Sequence, residues 1–321
     1  MSSQTEHFED IGMRIHYVSH ASSDIGSHRM RVLHSMALLR AKGHSVTLSN
    51  EPDPNVHWNI FSKHFKNDLS FVLSMRGVTK TAFDIVDDHF SRKHGEYYKS
   101  MCDKVDLVMC NSQNLYEEIQ RHTFTPIAIL KDPINFPYYP PQLKNRDDVV
   151  EALWFGHKSN LPPPIAELKN IKSPLTIIVN AQLRGIEATV LQWREDLVEE
   201  RINQYDVVLL PLDKSQRHNM KKSTNRAIDA LHAGRFVITT SEEVYSELAP
   251  YIFIGDIAEG ITWFKKNRGE ALNKIIEGQR YVREHYSDKV LAHDLNECLQ
   301  RYFQVEGERI NAGTLLTVKE E

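Results

Sequence analysis

The sequence predicts an α/β protein built as two doubly wound, Rossmann-like domains facing across a cleft, and three observations carry that expectation. Short apolar runs of strand length alternate with stretches of helical period along most of the chain. The alternation starts afresh after a proline-rich segment near residue 140. At 321 residues the chain is long for one domain and sufficient for two full-sized cores.

The first strand is expected over 13–19, Met-Arg-Ile-His-Tyr-Val-Ser. A loop containing Gly26 leads to a helix over 27–42, where Met30, Leu33 and Ala37 fall at core spacing and Gly43 stops the turn. His44-Ser-Val-Thr-Leu-Ser49 is a second strand, completing a strand–helix–strand unit. Further strands are expected at 58–62, 71–75, 82–86, 107–110 and 127–130, with helices at 93–101 and 112–122. The N-terminal domain is thus 1–135. Residues 136–148, entered through Pro133 and carrying Pro137, Pro140 and Pro141 ahead of a polar run, suit a linker. The second domain spans 149–287, with strands at 149–155, 175–179, 206–210, 236–240 and 251–254. Helical period continues from 257 to 303, helices near 288–305 are expected to pack back on the first domain, and 306–321 form a weakly patterned tail.

Composition narrows the function. Apolar residues at 41% and a net charge of -4 give no general reason to bind nucleic acid or a bilayer. Cys102, Cys110 and Cys298 lack metal-type spacing and suit a reducing compartment. The opening decapeptide is acidic and polar, and no run approaches the roughly 20 apolar residues of a membrane span. A cytoplasmic protein is expected, with the basic stretch 29–40 leaving peripheral contact with an anionic membrane face open. Nucleic acid as a partner is disfavoured by the acidic balance.

The most informative segment is Lys222-Ser-Thr-Asn-Arg226-Ala-Ile-Asp229-Ala-Leu-His-Ala-Gly234, followed by the apolar Phe236-Val-Ile-Thr. Ser223 or Thr224 can cap the helix and Gly234 can end it. Lys222, Asn225, Arg226 and Asp229 share one face, while Ala227, Ile228 and Leu231 share the opposite one. Two cations beside unpaired backbone N–H groups attract an anion, and a nucleotide diphosphate fits that chemistry; a solvated Lys/Arg–Asp face is the alternative.

Ligands of doubly wound domains lie at the carboxyl ends of the strands. That rule selects the loop from His20 to Arg31, with Gly26, Ser27 and Arg29, although it is not the G-x-G-x-x-G of nicotinamide dinucleotide sites. It also selects Asp84, Asp87, Asp88 and His89, which could hold metal, bond sugar hydroxyls, position an acceptor or cap a turn. In the second half it selects Gly156-His157-Lys158-Ser-Asn160.

Taken together these segments resemble a nucleotide-sugar-dependent glycosyltransferase of the two-domain GT-B type, in the broad glycosyltransferase family 4 group (glycosyltransferase family 1 in domain nomenclature). The likeness lies in Gly26-Ser-x-Arg29-x-Arg31, Lys42-Gly-His-x-Val, Phe83-Asp-Ile-Val-Asp-Asp88, Val105-Asp-Leu-Val-Met-Cys-Asn-Ser112, Trp154-Phe-Gly156-His-Lys-Ser-Asn160, Asp206-Val-Val-Leu-Leu-Pro-Leu212 and Lys222-x3-Arg226. It spans roughly residues 12 to 285. The resemblance implies transfer of a sugar from a nucleoside diphosphate sugar to an acceptor hydroxyl with retained anomeric configuration. Lys222, Arg226, Asp88 and His89 are then the expected catalytic groups. Gly156, Lys158, Asn160, Ser223, Thr224, Asn225 and Asp229 are the expected donor contacts, and His20, Gly26, Ser27, Arg29 and Asp87 lie on the acceptor side. The cations can neutralise the leaving diphosphate without a metal, so neither a metal nor another cofactor is expected. A glycan or lipid-linked acceptor would suit such an enzyme. Many members of that group carry a spaced pair of glutamates at the donor site; here those positions hold Lys221 and Asp229. The departure motivates an alternative, a non-catalytic nucleotide-sugar or glycan-binding protein on a degenerate transferase fold.

Overall fold

The computed structural model describes residues 12–22, 25–62, 68–143, 149–161, 165–215 and 217–315. Ser23 and Asp24 of the first loop, 144–148 of the expected linker and 316–321 of the expected tail lie outside them.

Two parallel sheets organise the chain. The first contains β1 (Arg14–Val18), β2 (Ser45–Ser49), β3 (Trp58–Ser62), β4 (Lys80–Ile85), β5 (Leu107–Cys110) and β6 (Ile127–Ile129), in the order β2-β1-β3-β4-β5-β6. The second contains β7 (Ala152–Gly156), β8 (Leu175–Val179), β9 (Thr189–Gln192), β10 (Val207–Leu210), β11 (Phe236–Thr239) and β12 (Phe253–Ile254), in the order β12-β11-β10-β7-β8-β9. Read from its own first strand, the second sheet has the dinucleotide-fold order, with its crossover reversing between β7 and β10. In the first sheet the reversal falls between β1 and β3. Helices on both faces bury the central strands completely, which is why β3, β5, β7, β10 and β11 read as unbroken apolar or buried runs.

Each sheet has its own core. Ile15, Trp58, Ile60, Leu107 and Leu39 pack one face of the first, and Trp154, Ile177, Leu209, Phe236 and Phe264 one face of the second. Each such side chain contributes about 1.5–3 kcal/mol by leaving water. Residues 26–41 form one continuous helix, α1, α-helical at Gly26–His28 and Ser35–Ala41 and π-helical at Arg29–His34 between them. The last helix, Asp288–Leu315, inserts Leu295 and Leu299 into the core of the first sheet. Its Asn296 meets buried His44 at 2.7 Å.

Two differences from the sequence reading have clear causes. Residues 71–75, expected as a strand, belong to a helix, α2 (Asp68–Met75), because parallel β3 and β4 need a crossover between them and Leu69 and Val72 supply a helical inner face. Strand β9 was not expected: it is a short edge strand, exposed at both ends and only half-buried between, so no continuous apolar run marks it.

Candidate functional site

The donor-side candidates converge where the second sheet reverses. Strand β7 ends at Gly156, and the helix α3 (Asn225–His232) runs into β11. Ala227, Ile228 and Leu231 of α3 are fully buried against the sheet, so the opposite face carries Lys222 and Arg226 to the end of β7. Lys222 donates to the Asn160 side-chain oxygen at 2.8 Å, and Arg226 donates to the Phe155 carbonyl at 3.1 Å, with its guanidinium 5.8 Å from the Trp154 ring centre. A Cβ at Gly156 would stand 3.2 Å from both the Arg226 guanidinium and Trp154, so glycine admits the close approach. Lys158 is exposed, with its backbone N–H held by Asn180 at 2.7 Å. Ser223, not Thr224, meets the helix start: its hydroxyl accepts from Asn225 N at 3.2 Å. The Asn225 side chain accepts from the Arg226 N–H.

This cluster is electropositive. Burial, then Arg226, lowers Lys222 to about 8, opposed by Asp87 of the first domain. Burial lowers Arg226 as well. His218 is lowered by burial and by Arg92 and Lys222, with Asp88 and Asp87 opposing. One electrostatic neighbourhood therefore joins Arg92, Asp87 and Asp88 from the first domain to His218 and Lys222 from the second. An open pocket beside it runs past Leu212, Asp213, Thr240 and Gly255, at the carboxyl ends of β10, β11 and β12.

Other candidates are placed differently. Asp88 is fully buried and accepts from Phe90 N at 2.9 Å and the Ser91 hydroxyl at 3.4 Å, so it caps a turn rather than offering an open carboxylate. His89 stacks on Tyr98 with ring centres 4.5 Å apart. Asp87 is half-buried. Asp229 was expected to contact the donor, but it is 3% exposed and takes Asn135 N and Nδ2 at 2.8 and 3.1 Å. Its helical stripe is the predicted one; the chain leaving the first domain simply packs over that end of it. Burial pushes its carboxyl up to about 7 against the Asn135 and Phe136 N–H bonds. Lys221 is buried, 3.4 Å from Glu243. His20 is exposed beyond β1, and Gly26, Ser27 and Arg29 are half-buried at the start of α1.

Sequence reading missed a buried set between the domains. Arg31, read as the end of the acceptor-side loop and weighed as a solvated surface residue, is instead buried: it forms two bonds with Asp84 at 3.1 and 2.6 Å and donates to the Leu130 carbonyl. Asp132, three residues past the end of β6, takes Asn111 Nδ2 at 3.0 Å and the Ser223 hydroxyl. The rule that selects residues just after strands applies to Asp132 and would have found it.

No family model matches the sequence, and no curated protein matches it significantly. By structure the chain is similar to Anabaena Alr3699/HepE, solved in complex with UDP-glucose, at TM-score 0.68 and 10% identity over 90% of this chain and 100% of that one. It is also similar to a glycosyltransferase from Rickettsia africae ESF-5, at TM-score 0.67 and 12% identity over 91% and 99% of the two chains. A third similar structure is an alpha-glucosyltransferase in complex with UDP-glucose and DNA containing an abasic site, at TM-score 0.62 and 9% identity over 90% and 100%. The chain has the GT-B fold. At these identities the likeness is one of fold, and it agrees with the architecture that the sequence resemblance implied. Among the described residues, no helix is long and apolar enough to cross a membrane.

Proposed function

We propose that the protein is a glycosyltransferase that moves a sugar from a nucleoside diphosphate sugar to an acceptor hydroxyl. The observation that carries this reading is the convergence of Lys222, Arg226, Asn160 and the Gly156 loop at the β7/β10 reversal. Doubly wound sheets bind phosphorylated ligands at that place. Fold analogues solved with UDP-glucose support the donor class. The donor's diphosphate lies against Lys222 and Arg226, and the acceptor enters from the first domain past Asp87, His89 and the start of α1.

In the proposed reaction the bond from the anomeric carbon to the diphosphate oxygen breaks, and a bond to the acceptor oxygen forms. The acceptor proton passes to a diphosphate oxygen, and the configuration is retained. Charge growing on the diphosphate meets two preorganised cations, so turnover proceeds without a metal. The test is release of nucleoside diphosphate with and without acceptor, with and without EDTA, and the anomeric coupling constant of the product by NMR. Acceptor-dependent release that survives EDTA supports the reading; release restored only by magnesium or manganese overturns the metal-independent mechanism.

One observation favours a second reading, that of a nucleotide-sugar or glycan-binding protein. Lys221 stands at a position where the resemblance implies a carboxylate, and Asp88 and Asp229 are both turned inward. Donor binding with no release under any acceptor would decide for it.

A further inference from the structure

Resting on the donor site just proposed, we propose that Asp132 is a positioning residue of the first domain that seats the diphosphate-binding start of α3 through Ser223. Asp132 is 4% exposed, three residues past the end of β6, in one domain, while Ser223 belongs to the other. The Ser223 hydroxyl donates to Asp132 Oδ2, and its oxygen also accepts the Asn225 N–H, so one hydroxyl ties a first-domain carboxylate to the helix start between Lys222 and Arg226. Asp132 is itself held: Asn111 donates to the same oxygen at 3.0 Å, and Arg31 NH1 stands 3.5 Å from the other. Arg31 in turn is fixed by its two bonds to Asp84. A buried carboxylate fastened by two first-domain side chains, one of them itself held by Asp84, is a rigid anchor.

Ser223 was expected to contact the donor directly, yet its proton is committed across the domain boundary. Its part is to hold Lys222 and Arg226 at a fixed spacing from the Gly156 loop. Opening the cleft breaks this bond and frees the helix start; closing it restores both together. Domain closure and phosphate affinity are then the same event. Neighbouring contacts lock the same boundary without touching the helix start: Lys131 pairs with Glu247, and Asn114 donates to the Glu243 carbonyl at 2.9 Å. These hold the domains, whereas Asp132 and Ser223 connect closure to the anion site.

The test uses the full chain and inorganic pyrophosphate, a probe that needs neither base nor sugar, titrated by calorimetry into wild type, Ser223→Ala, Ser223→Thr, Asp132→Ala and Lys222→Ala. Small-angle scattering of each is recorded with and without the probe. Ser223→Ala is expected to bind at least tenfold more weakly and to lose the ligand-induced compaction, and Ser223→Thr, which keeps the hydroxyl, is expected to restore both. Asp132→Ala should match Ser223→Ala; if it fails to fold, the serine pair decides alone. Wild-type affinity and compaction in Ser223→Ala, alongside lost binding in Lys222→Ala, would overturn the inference and leave the donor site standing. Wild-type protein that binds no pyrophosphate would overturn the donor site and the inference with it.

Discussion

Lys222 and Asn160 meet at 2.8 Å, the first from the approach to α3 and the second from the loop beyond β7. This bond orients an ammonium that is otherwise crowded by Arg226 and largely withdrawn from water. In the proposed donor complex an incoming diphosphate would relieve that crowding, with Asn160 holding the cation in place until the anion arrives.

The lowered Lys222 has a pH signature. Its charge is present below about 8 and lost as pH rises through that value, so diphosphate affinity should fall above pH 8. Titrations of uridine diphosphate from pH 6.5 to 9.5 check this. Lys222→Arg, whose guanidinium stays charged, should remove the inflection. An inflection unchanged in that variant would assign it to another group.

Asp229 makes a separate prediction about stability. Its folded value of about 7 lies above the ordinary carboxylate value of 3.8, so the folded state holds more protons between those limits. Stability contributed by this group is therefore full below about pH 4 and declines as pH rises to 7, at no more than about 1.4 kcal/mol per pH unit. Asp229→Asn should flatten that decline. Urea midpoints of both proteins at pH 4.5, 6 and 8 measure it, and parallel profiles would show that Asp229 stays ionised throughout.

Much of the fold was legible because parallel strands buried on both faces write themselves as apolar runs, as in Val207–Leu210 and Phe236–Thr239. The edge strand β9 was not, since a half-exposed strand needs no such run. At the site, Lys222 and Arg226 were readable because α3 is amphipathic, and its buried stripe of Ala227, Ile228 and Leu231 dictates where the cations point. Helical period alone could not reveal that Asn135 covers the Asp229 end of the opposite, cation-bearing face. Nor could it show that Asp132 reaches Ser223, because both are contacts between segments about 90 residues apart, created by the packing of two domains.

Gly234 marks the point where the connecting chain crosses the second domain. It ends α3 with φ of +69°, and a Cβ there would lie 2.7 Å from the Tyr139 carbonyl oxygen and 3.1 Å from that of Pro140. Both conformation and space exclude a side chain. Gly234→Ala should lower stability by more than about 1 kcal/mol, read as a shift in the denaturation midpoint. Gly185→Ala, also at positive φ but with open space around its would-be Cβ, should cost less.

Whether Lys222 and Arg226 bind the donor diphosphate is tested by calorimetric titration of uridine, guanosine, adenosine and thymidine diphosphates into wild type, Lys222→Ala and Arg226→Ala. At least one diphosphate should bind wild type, and each variant should lose about 1.5–3 kcal/mol of that affinity, the scale of a charge-assisted hydrogen bond. Undiminished affinity in both variants, or no binding of any diphosphate to wild type, would contradict the account.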